Sequence, residues 1–172
     1  MNIIEAAQTG NVDMLRQAIQ SNIDVNTKYQ DEITPLMAAA ANGKTDCARE
    51  LLAAGADVHS MDRWGMTALH IAACNGRAEV VEVLLQCNAR VNDRNHDGET
   101  ALHWAGSSKE CVALLLKANA DPSIMDCRSN LPEECSTNKS IVQQLRSARE
   151  RHEGINHTGR ERVNVRGVRM SL

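Results

Sequence analysis

Apolar side chains recur along this chain at the spacing of short amphipathic helices. In the segment 79–86, for example, Val80, Val83 and Leu84 fall on one face of a helix. No apolar stretch approaches the eighteen residues or so that a membrane-spanning helix needs. The pattern therefore predicts short helices packed against one another and no membrane span.

The helical pattern repeats every 33 residues. The segment Thr34–Met37 (Thr-Pro-Leu-Met) is followed by Thr67–His70 and Thr100–His103, both of which read Thr-Ala-Leu-His, and each begins 33 residues after the one before. Because one such unit cannot bury its own apolar face, neighbouring units are expected to stack. The same step separates the glycines expected at the turn between the two helices of a unit: Gly10, Gly43 and Gly76.

This pattern resembles the ankyrin repeat family, whose Thr-Pro-Leu-His-x-Ala signature is matched most fully by residues Thr67–Ala72. The resemblance covers about residues 1–150 and implies an all-α solenoid of about five stacked helix–turn–helix units with projecting β-hairpin loops. Turn-forming residues such as Asp97 and Gly98 mark these loops. Units are expected near 1–33, 34–66, 67–99, 100–130 and 131–152, with hairpin tips near 29–32, 62–65, 95–98 and 126–129.

The last two units depart from the repeat. The fourth lacks two residues at its helix–helix turn, where Ser107–Glu110 predicts a capping box for the next helix. The fifth has Glu133 and Glu134 where leucine and histidine would fall. These substitutions predict a polar end cap, with three apolar residues docking inward: Ile141, Val142 and Leu145.

The charge divides the chain into an acidic body and a basic end. Residues 146–172 hold seven arginines and three glutamates, a charge of +4, which leaves −7 on the rest of a chain whose net charge is −3. An acidic body argues against nucleic-acid binding there and leaves it open for the tail. We predict a repeat domain over 1–152 and a basic, disordered tail over 153–172, with Gly154 and Gly159 ending the last helix.

The six cysteines never occur as Cys-x-x-Cys, and residues 1–8 lack the features of a signal peptide. The simplest interpretation is six reduced thiols that act as small apolar fillers in an intracellular protein, cytoplasmic or nuclear.

Three short motifs suggest chemistry, and each has a simpler explanation. The sequence Gly43-Lys44-Thr45 lacks the glycine that a phosphate loop requires five residues earlier. The segment Asp93–Gly98 begins like a calcium loop, but position twelve is Trp104, which we assign to the core, instead of glutamate. The repeated His70 and His103 have no further ligands at metal-binding spacing. We therefore expect no cofactor, no metal, no small-molecule substrate and no enzymatic activity.

The resemblance implies that a partner contacts the concave face, which the hairpin tips and the first helices form. Trp64 is the most informative residue, because it stands with Met61 and Met66 in a turn that offers little core to join. Tryptophan and arginine are enriched in binding hot spots. The expected partner-binding residues are Tyr29, Gln30, Asp31, Met61, Arg63, Trp64, Met66, Cys74, Asn75, Arg94, His96, Asp97, Glu99 and Arg128.

The favoured function is a non-catalytic protein–protein interaction module that acts as an adaptor, scaffold or inhibitor. One alternative is a reader of modified lysine, with Trp64 and Tyr29 as the walls of an aromatic cage. Another is a regulatory subunit of an enzyme whose catalytic part lies on a different chain.

Overall fold

A computed structural model of the chain describes residues 2–164, and within that range the regular structure is helical. Two short 3-10 turns lie at Gln30–Glu32 and Pro132–Cys135. The α-helices are α1 (Ile3–Thr9), α2 (Val12–Gln20), α3 (Pro35–Asn42), α4 (Thr45–Ala53), α5 (Ala68–Cys74), α6 (Ala78–Gln86), α7 (Ala101–Trp104), α8 (Lys109–Lys117) and α9 (Lys139–Asn164).

The helices form two parallel rows. Helices α1, α3, α5 and α7 pack side by side in an inner row, while α2, α4, α6 and α8 form an outer row behind them. The inner helices are short and rich in alanine, and Leu36, Leu69 and Leu102 are buried at the same position of successive units. Each fully buried leucine contributes about 1.5–3 kcal/mol. The predicted all-α repeat solenoid is confirmed.

The signature threonine and histidine connect each unit to the next. The backbone N–H of Thr67 donates to Nδ1 of His70 at 3.2 Å, so the ring proton lies on Nε2, which donates to the carbonyl of Glu99 at 3.2 Å. His103 makes the same bonds, to Thr100 at 3.0 Å and to Asn130 at 3.3 Å. Both histidines therefore hydrogen-bond within their own unit and to the following unit.

The projecting loops are tight turns. Backbone hydrogen bonds close each tip, for example from Asp62 N to Met66 O at 3.0 Å and from Gly65 N to Asp62 O at 2.9 Å in the second tip. Within residues 2–164 no strand is assigned, so these loops differ from the expected β-hairpins. The reason is that the N–H groups of Met66 and Glu99, which would complete a ladder across the second and third tips, donate to side-chain oxygens. Their acceptors are Oδ1 of Asp62 at 2.9 Å and Oδ1 of Asn95 at 2.8 Å.

Backbone hydrogen bonds join each tip to the tip before it. They run from Arg63 N to Asp31 O at 3.0 Å, from His96 N to Trp64 O at 3.0 Å, and from Cys127 N to Asp97 O at 2.8 Å. Gly65 makes this contact possible, because its φ is +77° and a Cβ built there would lie 2.8 Å from His96 N.

The inner helix of the fourth unit is the shortest α-helix of the described residues. Helix α7 has 4 residues, whereas α3 has 8 and α5 has 7. The two missing residues of this unit thus shorten the helix itself. The predicted capping box was placed one residue early: Ser108, and not Ser107, is the N-cap of α8, and its hydroxyl accepts from Cys111 N at 3.2 Å.

The end cap has an acidic residue buried beneath α9. The carboxylate of Glu133 is 7% exposed and accepts from Arg149 Nη2 at 3.2 Å and from Arg146 Nε at 3.3 Å. Burial alone would raise the pKa of Glu133, but the hydrogen bonds from both arginines outweigh it and lower that pKa. Ile141 and Leu145 are fully buried beside this cluster, as the sequence predicts. Val142 is only half-buried.

Helix α9 continues further than the sequence predicts. It runs through Gly154 and Gly159 to Asn164, so the prediction that these glycines end the helix is wrong. A glycine costs a helix about 1 kcal/mol relative to alanine, and no proline follows to stop it. The boundary at residue 152 and the disordered tail stay predictions, and residues 165–172 lie outside the described part of the chain.

The cysteines divide into two groups. Cys47 and Cys111 are buried, as the filler interpretation expects, but the other four are exposed, so that interpretation is wrong for them: Cys74, Cys87, Cys127 and Cys135. None of the helices within the described range is long and apolar enough to cross a bilayer.

Candidate protein-binding surface

Among the described side chains of residues 2–154, the large apolar ones that are most exposed all lie at the tips. Trp64 and Met125 are each 51% exposed, and Met61 is 37% exposed. Met61 and Trp64 lie on the second tip and Met125 lies on the fourth. We call the exposed side of the four tips, residues 28–33, 61–66, 94–99 and 125–130, the tip surface.

A buried carboxylate gives the second tip its shape. Asp62 is 5% exposed, and its Oδ1 accepts from the backbone N–H groups of Trp64 and Met66, both at 2.9 Å. Asn95 and Asp126 form the same turn in the third and fourth tips. Because this residue occupies the inside of the turn, the side chain two positions later projects outward, and in the second tip that side chain is Trp64.

The first tip lacks this carboxylate or amide. Tyr29 stands at the corresponding position, and a 3-10 turn replaces the loop, with Asp31 and Glu32 at φ values of 59° and 62°. The first tip therefore presents a different, more polar outline beside the second.

The indole of Trp64 is held by its neighbours. The guanidinium of Arg63 lies 5.3 Å from the ring centroid, a cation–π distance. Arg63 in turn forms an ion pair with Asp31 of the preceding tip, with 2.6 Å between Nη1 and Oδ1. One face of the indole is therefore covered by a cation that the first tip anchors.

Basic side chains also bridge the tips. Lys28 and Arg94 occupy the same position of the first and third tips, where Met61 and Met125 stand in the second and fourth. Lys28 donates to the carbonyl of Met61 at 3.2 Å, and Arg94 donates to that of Met125 at 2.8 Å. Arg94 also donates from Nε to the carbonyl of Gly98 at 2.8 Å. Much of the hydrogen-bonding capacity of Arg94 is thus used in bonds that hold the third and fourth tips together.

The structure leaves the predicted partner-binding residues accessible to different degrees. Half-buried are Tyr29, Asp31, Met66 and Glu99. Exposed are Gln30, Met61, Arg63, Trp64, Cys74, Asn75, Arg94, His96, Asp97 and Arg128. Met125 lies on the last predicted tip and corresponds to Met61 in the repeat, but it was left out of the expected partner-binding residues.

A notch of about 540 Å³ opens in the inner row, where α7 is one turn short. Cys74 at the end of α5 forms one wall, and Cys135 and Asn138 of the end cap form the other. Trp104 lies between them, half-buried, and its indole Nε1 is buried with no hydrogen-bond partner within the described side chains. The prediction that Trp104 belongs to the core is therefore wrong.

The segments that suggested other chemistry have structural roles. Gly43-Lys44-Thr45 forms the turn between α3 and α4, where the hydroxyl of Thr45 donates to Glu79 at 3.1 Å. The rings of His70 and His103 are already hydrogen-bonded between repeats. Across residues 2–154, no three histidine, cysteine or carboxylate side chains converge in a group that could hold a metal ion.

Comparison with known proteins gives one family. A family model described as ankyrin repeats (three copies) matches residues 3–95 and 54–126. No curated protein matches the chain.

Proposed function

This chain belongs to the ankyrin repeat family, whose members are generally protein–protein interaction modules, and from that premise we propose that it is a non-catalytic adaptor, scaffold or inhibitor. Its partner protein contacts the tip surface and the adjoining concave face. The observation that carries this proposal is the concentration of exposed large apolar side chains on the tips: Met61, Trp64 and Met125.

Trp64 is the expected centre of the interface. An exposed indole is a large apolar surface whose burial by a partner is favourable, and tryptophan is enriched among binding hot spots. The Asp31–Arg63 ion pair and the stacking of Arg63 restrict the indole before binding. Less side-chain entropy is therefore lost when a partner covers it. The methionines beside it have flexible side chains that adapt to a partner surface.

Other observations bear on the alternatives. An aromatic cage for modified lysine needs open ring faces, yet Arg63 covers one face of Trp64 with a cation that repels a second cation. A regulatory subunit of an enzyme would use the same tip surface, so it is a special case of the favoured proposal.

An intracellular location is supported by the four exposed, unpaired thiols, which a reducing compartment preserves.

The test compares capture of partners from native extract by the immobilised chain and by its Trp64→Ala variant. The affinity for the captured partner should fall by about thirtyfold or more, the effect of a hot-spot residue of ~2 kcal/mol. The free energy of unfolding should change by only about 0.5 kcal/mol, as for most exposed positions.

The matched control is Gln86→Ala, at the exposed end of α6 and away from the tips. It should capture the same partner with unchanged affinity. Equal affinity of the wild-type chain and Trp64→Ala for every captured protein would contradict the proposal.

A further inference from the structure

The notch above the shortened helix α7 is a second feature that suits a ligand. It arises because α7 has only 4 residues, so the inner row lacks a turn of helix between α5 and the end cap. Trp104, the last residue of α7, lies where that turn would continue. The notch thus results from the two missing residues of the fourth unit, which the preceding units retain.

Trp104 has a donor without an acceptor. Its Nε1 is buried and has no hydrogen-bond partner within the described side chains. An unpaired buried N–H carries a cost in free energy, and such groups are rare in folded proteins. A ligand that brings an oxygen acceptor to this nitrogen would recover that cost, after a small movement of the side chains that line the notch.

Glu99 gives the notch its charge. Of the residues that line the notch, it is the one with a carboxylate, and none of them carries a lysine or arginine side chain. Its Oε2 accepts from Asn95 Nδ2 at 2.8 Å, and its carboxylate has no ion-pair partner within residues 2–154. His103 nearby stays neutral, because burial lowers its pKa. A cationic group is therefore the complementary ligand.

The other walls are uncharged. Cys74 and Cys135 present thiols whose pKa values burial raises, so both stay protonated near neutral pH. Asn138 adds an amide. These surfaces suit the aliphatic part of a long side chain and a peptide backbone.

We propose that the notch binds an extended basic segment of the partner protein, with a lysine or arginine side chain beside Glu99 and a main-chain carbonyl accepting from Nε1 of Trp104. This inference rests on the proposed function and identifies the chemistry of the partner. The acidic character of the body, −7 outside residues 146–172, favours the same charge.

The basic tail of the same molecule cannot be the occupant while α9 is intact. Asn138 lines the notch and directly precedes α9, whose 26 residues lead about 39 Å away at 1.5 Å per residue. The eight residues that follow Asn164 span at most about 28 Å. The tail of a second copy has no such restriction, so the experiment includes it.

The experiment follows the two indole N–H signals of the ¹⁵N-labelled full chain by NMR, since the chain has only 2 tryptophans. A Trp64→Phe variant assigns them. The probes are the blocked peptides acetyl-Gly-Ala-Arg-Ala-Gly-amide and its counterpart with glutamate in place of arginine. The arginine peptide should move the Trp104 signal downfield in a saturable manner and leave Trp64 unchanged, while the glutamate peptide should move neither.

Three variants locate the binding. Glu99→Gln keeps an acceptor for Asn95. It should lower the affinity for the arginine peptide by about threefold or more, the effect expected for one exposed charge pair. Its control, Glu82→Gln on the exposed face of α6, should have no effect. Cys74→Trp should fill the notch and abolish binding of the arginine peptide.

The inference is overturned if the Trp104 signal does not respond, if both peptides act equally, or if Glu99→Gln binds as well as the wild-type chain. A third probe is a peptide of residues 160–172. If it binds the notch about tenfold more tightly than the arginine peptide, the occupant is the tail of a second copy and the partner segment is excluded. If notch binding fails while Trp64→Ala still weakens partner capture, only this inference falls and the proposed function stands.

Discussion

At the scale of single residues, His70 and His103 couple the stability of the stack to pH. Each ring accepts from a backbone N–H at Nδ1 and donates from Nε2 to a carbonyl of the next unit. Burial lowers the pKa of both histidines, although the carbonyl hydrogen bonds act against that shift. Protonation would place a proton on Nδ1, opposite the backbone N–H that donates to it.

We predict that the free energy of unfolding falls as the pH drops below about 6.5, the usual pKa of histidine in an unfolded chain. Because the folded pKa is lower, the unfolded chain takes up protons first, and the loss continues until the pH passes the folded pKa. Each histidine adds up to about 1.4 kcal/mol per pH unit in that window. Urea unfolding at pH 7.5, 6.5 and 5.5 measures the slope.

The control uses a substitution that the chain itself contains. Met37 occupies the histidine position of the second unit, where its sulfur accepts from Thr34 N at 3.5 Å. The double variant His70→Met, His103→Met should have a much flatter dependence between pH 7.5 and 5.5, whatever its absolute stability. An unchanged slope would assign the pH dependence to other groups.

The sequence predicted the positions and roles of single residues well where the 33-residue pattern is regular, and poorly where the pattern is interrupted. Thr67, His70 and Trp64 could be placed because corresponding residues fix their surroundings. Glu133 could be recognised as a departure, but its arginine partners lie 13 and 16 residues later, beyond an irregular loop. Trp104 was assigned to the core because its position in the signature is ordinary, whereas its exposure depends on the missing turn after it.

At the scale of elements, the contact between successive tips depends on Gly65. A Cβ at this position would lie 2.8 Å from the backbone nitrogen of His96, whereas a Cβ at Gly55 has no atom within 4 Å. Both glycines have positive φ, +77° and +89°. The two positions therefore share the backbone strain of a substitution and differ in the steric contact.

We predict that Gly65→Ala destabilises the fold more than Gly55→Ala. Both pay about 1–2 kcal/mol for a side chain in the left-handed region. Gly65→Ala loses in addition the hydrogen bond from His96 N to Trp64 O, worth about 1 kcal/mol. Chemical denaturation of the two variants compares them directly, and equal losses would show that the contact between tips adds nothing to stability.

The end cap supports a second prediction at this scale. Replacing Glu133 by glutamine should lower the free energy of unfolding by about 1–3 kcal/mol, less than for a fully buried pair because Arg146 is half exposed. The lowered pKa of Glu133 means that its contribution persists above about pH 4.3 and is lost as the pH falls through the folded pKa.

A double-mutant cycle with Arg149→Met isolates the pair. A coupling energy near zero would mean that Glu133 stabilises the cap by some other contact. Arg151→Met, an exposed position on the same helix, is the control and should show no coupling with Glu133→Gln.

The sequence predicted those helices and turns whose position depends on local sequence signals. The 33-residue register placed the helix pairs and the tips, but it could not distinguish a tight turn held by a side-chain oxygen from a β-hairpin. The deletion in the fourth unit was located, yet its consequence fell on helix α7 and not on the turn. The glycines of α9 were taken as stop signals, although no proline follows them.

At the scale of the whole molecule, the main contacts of each described unit are with its neighbours, so stability should vary with the position of a cut. Removing residues 155–172 should change the melting temperature by only about 2 °C, because Ile141 and Leu145, which are fully buried within the described part of α9, are retained. Removing residues 131–172 should lower it by about 10 °C or more, because it uncovers the apolar side of α8.

Thermal unfolding followed by circular dichroism measures both truncations against the full chain. A large loss on removal of residues 155–172 alone would mean that the last residues pack on the stack and that the proposed boundary near residue 152 is misplaced.

The row of backbone-to-backbone hydrogen bonds between the tips has a direction. In every link the later tip gives the N–H and the earlier tip gives the carbonyl: Arg63 to Asp31, His96 to Trp64, Cys127 to Asp97. The row is therefore polar, like a polymer with two chemically different ends, and every interior tip offers the same pair of groups at the same positions. Duplicating one 33-residue unit between residues 34 and 99 would lengthen the array while leaving the groups at both ends unchanged. The architecture thus permits the array to lengthen by insertion of interior units. A longer binding surface can arise without any change in the units at its two ends.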